Sequence, residues 1–319
     1  APKLSSTFSG CTALKTAKIT GHVDTMNGTF NNCTALESLN MEGATVRYLD
    51  QGTCYNCTSL SGSVTLNFAA SSKATSAIYG AYDASTNRHA ESNFYKCTSL
   101  EELIITGDIT TISGCMNFKE CLSLKKVYLP AALKTLGKNN FYGNVSLEEV
   151  IIEDGSQLTS IGEYCFYGCT ALQSINLQEG LKTVNPYAFQ NCGKAVFTIP
   201  STVTKIYNYA FNGCKIGTSA TIVGPVDVWE QYAFVNSGLV GLNITLVTNL
   251  NAGMDLSSRL QNCKSLKNLT INGGYITSMG STCTGCSALE NVTLNFIDNV
   301  DYAPKLSSTF SGCTALKTA

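Results

Sequence analysis

The sequence predicts a mainly β solenoid of stacked parallel strands, with about twelve coils in each 302-residue unit and no cap at either end. Three observations lead there. An aromatic–Cys–Leu signature recurs about every 25 residues along the chain. A short alternating apolar run follows each signature, and no stretch sustains a helical period. Residues 1–17 read APKLSSTFSGCTALKTA, and residues 303–319 read the same.

The signature is an aromatic, two residues, a cysteine, two residues and a leucine. It stands in full at Phe8–Cys11–Leu14, Phe30–Cys33–Leu36, Phe94–Cys97–Leu100, Phe118–Cys121–Leu124 and Phe166–Cys169–Leu172. It recurs with substitutions at Cys54 and Cys57, Phe141 and Asn144, Phe189 and Cys192, Phe211 and Cys214, and Phe234 and Ser237. Further copies stand at Leu260 and Cys263, Cys283 and Cys286, and Phe310 and Cys313. Most steps are 22 to 27 residues, but Cys57 to Cys97 is 40.

After each signature comes a short run patterned for one buried face, as in Leu147-EE-Val150-Ile151-Ile152, Leu266-KN-Leu269-Thr270-Ile271 and Leu289-EN-Val292-Thr293-Leu294. That pattern reads as a strand with one buried face. A second apolar pair follows, such as Leu158 with Ile161 or Leu181 with Val184. Each coil is therefore a strand, a turn, a second short extended segment and a tight return. One coil cannot bury its apolar edge alone, so like positions must stack on like positions about 4.8 Å apart. The phenylalanines at positions 8, 30, 94, 118, 141, 166, 189, 211 and 234 are expected buried in a row. Cys11, Cys33, Cys57, Cys97, Cys121, Cys169, Cys192, Cys214, Cys263, Cys286 and Cys313 share one phase and form an expected inward ladder of free thiols without metal.

The recurrence fixes the expected organisation. Residues 1–302 form one unit with an insertion loop at 69–90, and residues 303–319 begin the next identical unit. An uncapped stack exposes strand edges that another unit would cover.

The signature resembles the BspA-like class of leucine-rich repeats. The run Leu158-TS-Ile161-Gly162-EY-Cys165-Phe166-YG-Cys169 carries the likeness. So do Ala188-Phe189, Ala210-Phe211 and Ala233-Phe234, and the prolines ending strands at Pro130 and Pro200. The resemblance implies a leucine-rich-repeat solenoid in a secreted or cell-surface setting, where many such proteins mediate adhesion or bind other proteins.

Composition excludes several other roles. The net charge is −1 and only 13% of residues are charged, against about 25% in typical chains. Nucleic-acid binding is thus disfavoured. No run of 18 apolar residues is available to span a membrane. The two histidines, His22 and His89, lie in different coils, and neither has a partner pattern suited to catalysis. No phosphate loop, dinucleotide fingerprint or calcium loop is present, so neither enzymatic activity nor a cofactor is expected. Cys54-YN-Cys57 and Cys283-TG-Cys286 are CxxC pairs, but they lie many coils apart and each arises when cysteine takes the aromatic slot. Seven sequons, at Asn27, Asn32, Asn56, Asn144, Asn243, Asn268 and Asn291, nominate N-linked glycan sites. Asn243, Asn268 and Asn291 should face outward, with the last two stacked.

The sequence therefore points to an extracellular or cell-surface structural fibre whose partner is further copies of itself. The second reading is an adhesin that grips a partner surface protein through its sheet face. An adhesin would show exposed aromatic anchors on one face.

Overall fold

The computed structural model describes residues 1–69, 76–79, 92–193, 198–215, 220–246, 253–296 and 304–319. They are strands and turns, with no helix among them. Most of the expected insertion loop 69–90, with Tyr82 and His89, lies outside the described residues, but Ser76–Tyr79 forms a strand. The chain divides into two compact units, Ala1–Gln178 and Glu179–Ala319.

In the first unit the coils contribute strands to two rows, seven strands to one and six to the other. The outer row holds β1 (Thr16–Lys18), β3 (Ser38–Asn40), β5 (Gly62–Phe68), β7 (Leu100–Gly107), β9 (Lys126–Leu129), β11 (Glu149–Ile152) and β13 (Ser174–Ile175). The other row holds β2 (Gly21–Thr25), β4 (Ala44–Leu49), β6 (Ser76–Tyr79), β8 (Ile109–Ser113), β10 (Thr135–Leu136) and β12 (Ser160–Ile161). Pairing within both rows is parallel, because each coil runs the same way round. The second unit repeats the plan. Its outer row is β16 (Ala220–Val226), β18 (Gly241–Leu246), β20 (Asn268–Asn272) and β22 (Asn291–Asn295). Opposite run β14 (Thr183–Val184), β15 (Lys205–Ile206) and β17 (Val228–Trp229), and a separate pair, β19 (Met254–Asp255) and β21 (Ile276–Ser278).

The return turns carry the signature. The residue two before the aromatic slot takes a left-handed backbone, as at Asn139 (φ 56°), Tyr164 (φ 53°) and Tyr209 (φ 56°). The residue two after it does the same, as at Asn32, Asn56, Asn191, Asn236 and Asn262 or at Gly143 and Gly168. Asparagine and glycine are the residues that tolerate this region best. The turn then hands its backbone to the next coil: Phe118 N–H donates to Asn140 O at 2.9 Å, and Phe141 N–H donates to Cys165 O at 2.9 Å. The rings follow at 5.3 Å from Phe118 to Phe141 and from Phe141 to Phe166, nearly parallel. Phe189, Phe211 and Phe234 repeat the stack in the second unit.

The eight rings from Phe30 to Phe234 are fully buried. Phe8 corrects the expectation, being 37% exposed, and Cys11 beside it is exposed too. The described residues give that coil a stacked neighbour on one side only, Phe30 at 5.4 Å. Inside the stack a second ladder runs beside the rings. Thr53 Oγ1 donates to Asn93 Oδ1 (2.8 Å), Asn93 Nδ2 to Asn117 Oδ1 (2.9 Å), and Asn117 Nδ2 to Asn140 Oδ1 (2.8 Å). Each link pairs a buried donor with a buried acceptor, which is how a polar group is tolerated in a core, and the chain ends at Asn140, whose Nδ2 is buried without a partner.

The duplicated segments fold alike. Ser6 and Ser308 have φ of 51° and 55°, and Gly10 and Gly312 have 73° and 77°. Cys11 N–H donates to Phe8 O, and Cys313 N–H to Phe310 O, both at 3.1 Å.

Candidate functional site

Most ladder cysteines share one task. From Cys33 to Cys313 the thiol of one coil donates to the carbonyl of the aromatic-slot residue in the coil before, as at Cys33, Cys57 and Cys263. Cys121 Sγ reaches Phe94 O at 3.1 Å, Cys169 reaches Phe141 O at 3.2 Å, and Cys214 reaches Phe189 O at 2.8 Å. Cysteine fits because it is small, apolar and still a weak donor. All fifteen cysteines are free thiols. Among the described residues, no group of three or more histidine, cysteine or acidic side chains comes together to hold a metal.

Burial pushes the Cys121 and Cys169 thiols up to about 12. A thiol whose pKa is raised in the folded chain leaves stability unaffected below its unfolded value and costs stability above it. We therefore expect unfolding free energy to be flat between about pH 7 and pH 9 and to fall steeply from there towards pH 12. Urea titrations across that range check this. Native alkylation near pH 8 should label Cys11 first and leave Cys121 and Cys169 unlabelled.

The sequons divide by environment. Asn27, Asn32, Asn243, Asn268 and Asn291 are exposed, and Asn56 is half-buried. Asn144 is fully buried, which removes it from the candidate glycan sites. It occupies the cysteine slot, and its Oδ1 accepts the Cys121 N–H at 3.0 Å. Asn32 and Asn56 stand at the left-handed turn position, which by itself explains the choice of asparagine. On the second unit, Asn291 Nδ2 donates to Asn268 Oδ1 at 2.8 Å, so these two do stack on the outer face. Asn295 to Asn272 and Asn272 to Asn243 continue an uncharged amide ladder there.

The outer face of the first unit differs. Strand register places Ile104, Tyr128 and Ile151 side by side on β7, β9 and β11. All three are half-buried and alternate with fully buried Leu103, Val127 and Val150, so they point away from the core. Thr65 of β5 continues the row on one side. Beside this apolar row runs a charged one, Glu102, Lys126 and Glu149. Lys126 Nζ lies 2.9 Å from Glu149 Oε2 and 5.1 Å from the centre of the Tyr128 ring. The Tyr128 hydroxyl and then the Glu149 carboxylate hold the Lys126 ammonium above its usual pKa. On the turns leading into β9 and β11, Leu122 and Val145 are 44% and 45% exposed, where most other coils carry threonine.

A second aromatic column, Tyr55, Tyr95, Tyr142 and Tyr167, follows the return turns. Lys119 stands between Tyr95 and Tyr142, with Nζ 5.9 and 4.8 Å from their ring centres. Tyr142 and Tyr167 stack on each other at 4.9 Å. Their ring faces are therefore used within the fold. Burial, with Glu120 nearby, pushes the Tyr95 phenol up to about 12, so it stays neutral. Of the histidines, His22 is exposed with Nδ1 2.9 Å from Thr45 Oγ1.

The chain matches the BspA type leucine rich repeat region (6 copies) over residues 4–80, 87–217, 137–253 and 256–319. No curated protein matches it. Among solved structures, a leucine-rich repeat protein from Bacteroides ovatus is similar at 19% identity, covering 99% of this chain and 69% of that one, with a TM-score of 0.56. The pneumococcal vaccine antigen PcpA aligns at 16% identity over 91% of this chain and 70% of that one, with a TM-score of 0.45. A leucine rich cell surface protein from Faecalibacterium prausnitzii aligns at 19% identity over 66% of this chain and 82% of that one, with a TM-score of 0.33. At these identities the Bacteroides structure supports the fold alone. Among the described residues no helix is long and apolar enough to cross a membrane.

Proposed function

The chain belongs to the BspA-type leucine-rich-repeat family, and from that premise we propose that it is a cell-surface protein that binds a partner protein through the outer face of β7, β9 and β11. Binding rather than catalysis is its role. One observation carries this: Ile104, Tyr128 and Ile151 form an apolar row on a face that the core does not need. Fold stability accounts for Leu103, Val127 and Val150 beneath them, and water would be the better neighbour for the row itself. An aromatic anchor between aliphatic residues, rimmed by Glu102, Lys126 and Glu149, has the anatomy of an interface hot spot. A partner covering Tyr128 would desolvate the ring while the charged rim sets orientation.

The test is adhesion of beads coated with the intact chain to surfaces bearing extracellular-matrix proteins or cells. Tyr128→Asp is expected to weaken adhesion about 30-fold or more while costing only about 1 kcal/mol of folding stability, since the side chain is half-buried on the outer face and not in the core. Equal adhesion by the variant, or none by the wild type, contradicts the proposal.

A second reading keeps the fibre. In residues 1–17, N–H groups of Leu4, Ser6 and Phe8 donate to the following coil; in residues 304–319, carbonyls of Lys305, Ser307 and Thr309 accept from the preceding one. Identical segments thus use opposite edges, and a tandem array of 302-residue units would bring such edges together. Electron micrographs of native material showing filaments would favour it; isolated particles would not.

A further inference from the structure

Between β3 and β5 the outer row of the first unit comes apart. Ser61 N–H still donates to Glu37 O at 3.1 Å, but no ladder joins β3 to β5 among the described residues. The cause is unequal length. β3 ends at Asn40, whose Oδ1 takes the Glu42 N–H at 2.8 Å and turns the chain, while β5 runs on to Phe68. The mismatch leaves an open cleft of about 430 Å³. At its bottom are Leu39, Met41 and Ala44, each nearly inaccessible to solvent. Its walls bring together Asn40, Glu42, Ser63, Thr65 and Asn67.

These groups narrow the ligand. No lysine or arginine lines the cleft, so nothing there balances a phosphate, sulfate or carboxylate. Hydroxyls of Ser63 and Thr65 both donate and accept, and the Glu42 carboxylate only accepts. Asn67 Oδ1 already accepts from Thr106 Oγ1 at 3.3 Å, which leaves its amide nitrogen to donate outward. A ligand must therefore offer several adjacent groups that are each donor and acceptor. An extended peptide does not fit, because the Ser61–Glu37 bond closes the gap at one end. The volume falls in the range of about 300–1,000 Å³ usual for small-molecule pockets.

We propose that this cleft binds a neutral sugar, with the Glu42 carboxylate accepting from adjacent hydroxyls and Asn67, Ser63 and Thr65 completing the set. The site meets the Tyr128 row only at Thr65, and it does not depend on the protein partner proposed above.

The test is titration of the intact chain with glucose, galactose, mannose, N-acetylglucosamine and N-acetylneuraminic acid, followed by calorimetry and by amide chemical shifts. At least one neutral sugar should saturate with millimolar affinity and shift the amides of Ser63 to Asn67. Glu42→Gln and Thr65→Lys should each lower its affinity about tenfold, and Tyr128→Asp should leave it unchanged. Thermal melts report whether Thr65→Lys folds, and Ser63→Lys replaces it if it does not. Saturation by none of the neutral sugars, tighter binding of N-acetylneuraminic acid, or full affinity in both Glu42→Gln and the folded lysine variant overturns the proposal.

Discussion

Replacing Phe141 with alanine should destabilise the chain by about 3–5 kcal/mol, measured by urea unfolding. The ring is fully buried and lies between Phe118 and Phe166, 5.3 Å from each, at interplanar angles of 11° and 5°. Removing it takes away apolar burial and two stacked neighbours together. Its space cannot collapse, because backbone hydrogen bonds fix the coils on either side: Phe118 N–H to Asn140 O and Phe141 N–H to Cys165 O. Phe8→Ala is the internal comparison. That ring is 37% exposed and, among the described residues, stacks on Phe30 alone, so its loss should cost only about 1 kcal/mol. Similar costs at positions 8 and 141 would contradict a core built from the ring stack.

Gly162→Ala should be almost as damaging, at about 3 kcal/mol or more. A Cβ there would come within 2.4 Å of Gly137 C, 2.6 Å of Gly137 O and 2.7 Å of Lys138 N. All three are backbone atoms of the neighbouring coil, so no side chain can swing aside and the coil spacing itself must open. Gly155→Ala separates this from a generic glycine effect. Nothing lies within 4 Å of a Cβ at position 155, and only its left-handed φ of 78° is lost, worth about 1–2 kcal/mol. A smaller loss at 162 than at 155 would show that coil spacing is soft.

The ring and cysteine ladders were legible because equivalent positions in a stack meet equivalent surroundings, so periodicity alone locates them. Phe8 and Cys11 escaped that logic, since periodicity does not say how many neighbours a coil has. Asn144 carries the same lesson in reverse: its place in the cysteine slot already implied burial, whereas the sequon implied a surface. Asn32 and Asn56 are possible sugar sites by sequon, and each also holds a left-handed turn that composition does not reveal. The repeated dipeptides Asn93-Phe94, Asn117-Phe118 and Asn140-Phe141 were the missed signal for the internal amide ladder.

The outer row was harder. Val150-Ile151-Ile152 is continuously apolar, so alternation could not assign Ile151 outward until its register with Tyr128 and Ile104 was known. The cleft beside β3 and β5 depends on strand lengths of three and seven residues, which short alternating runs do not define.

Recognition through that outer row is tested most directly by amide hydrogen exchange on the intact chain, free and bound to an adhesion partner. Slower exchange on binding is expected at Glu102–Ile105, Lys126–Leu129 and Glu149–Ile152, with little change along β18, β20 and β22. Protection confined to the amide ladder of β18, β20 and β22, with none on β7, β9 and β11, would contradict it.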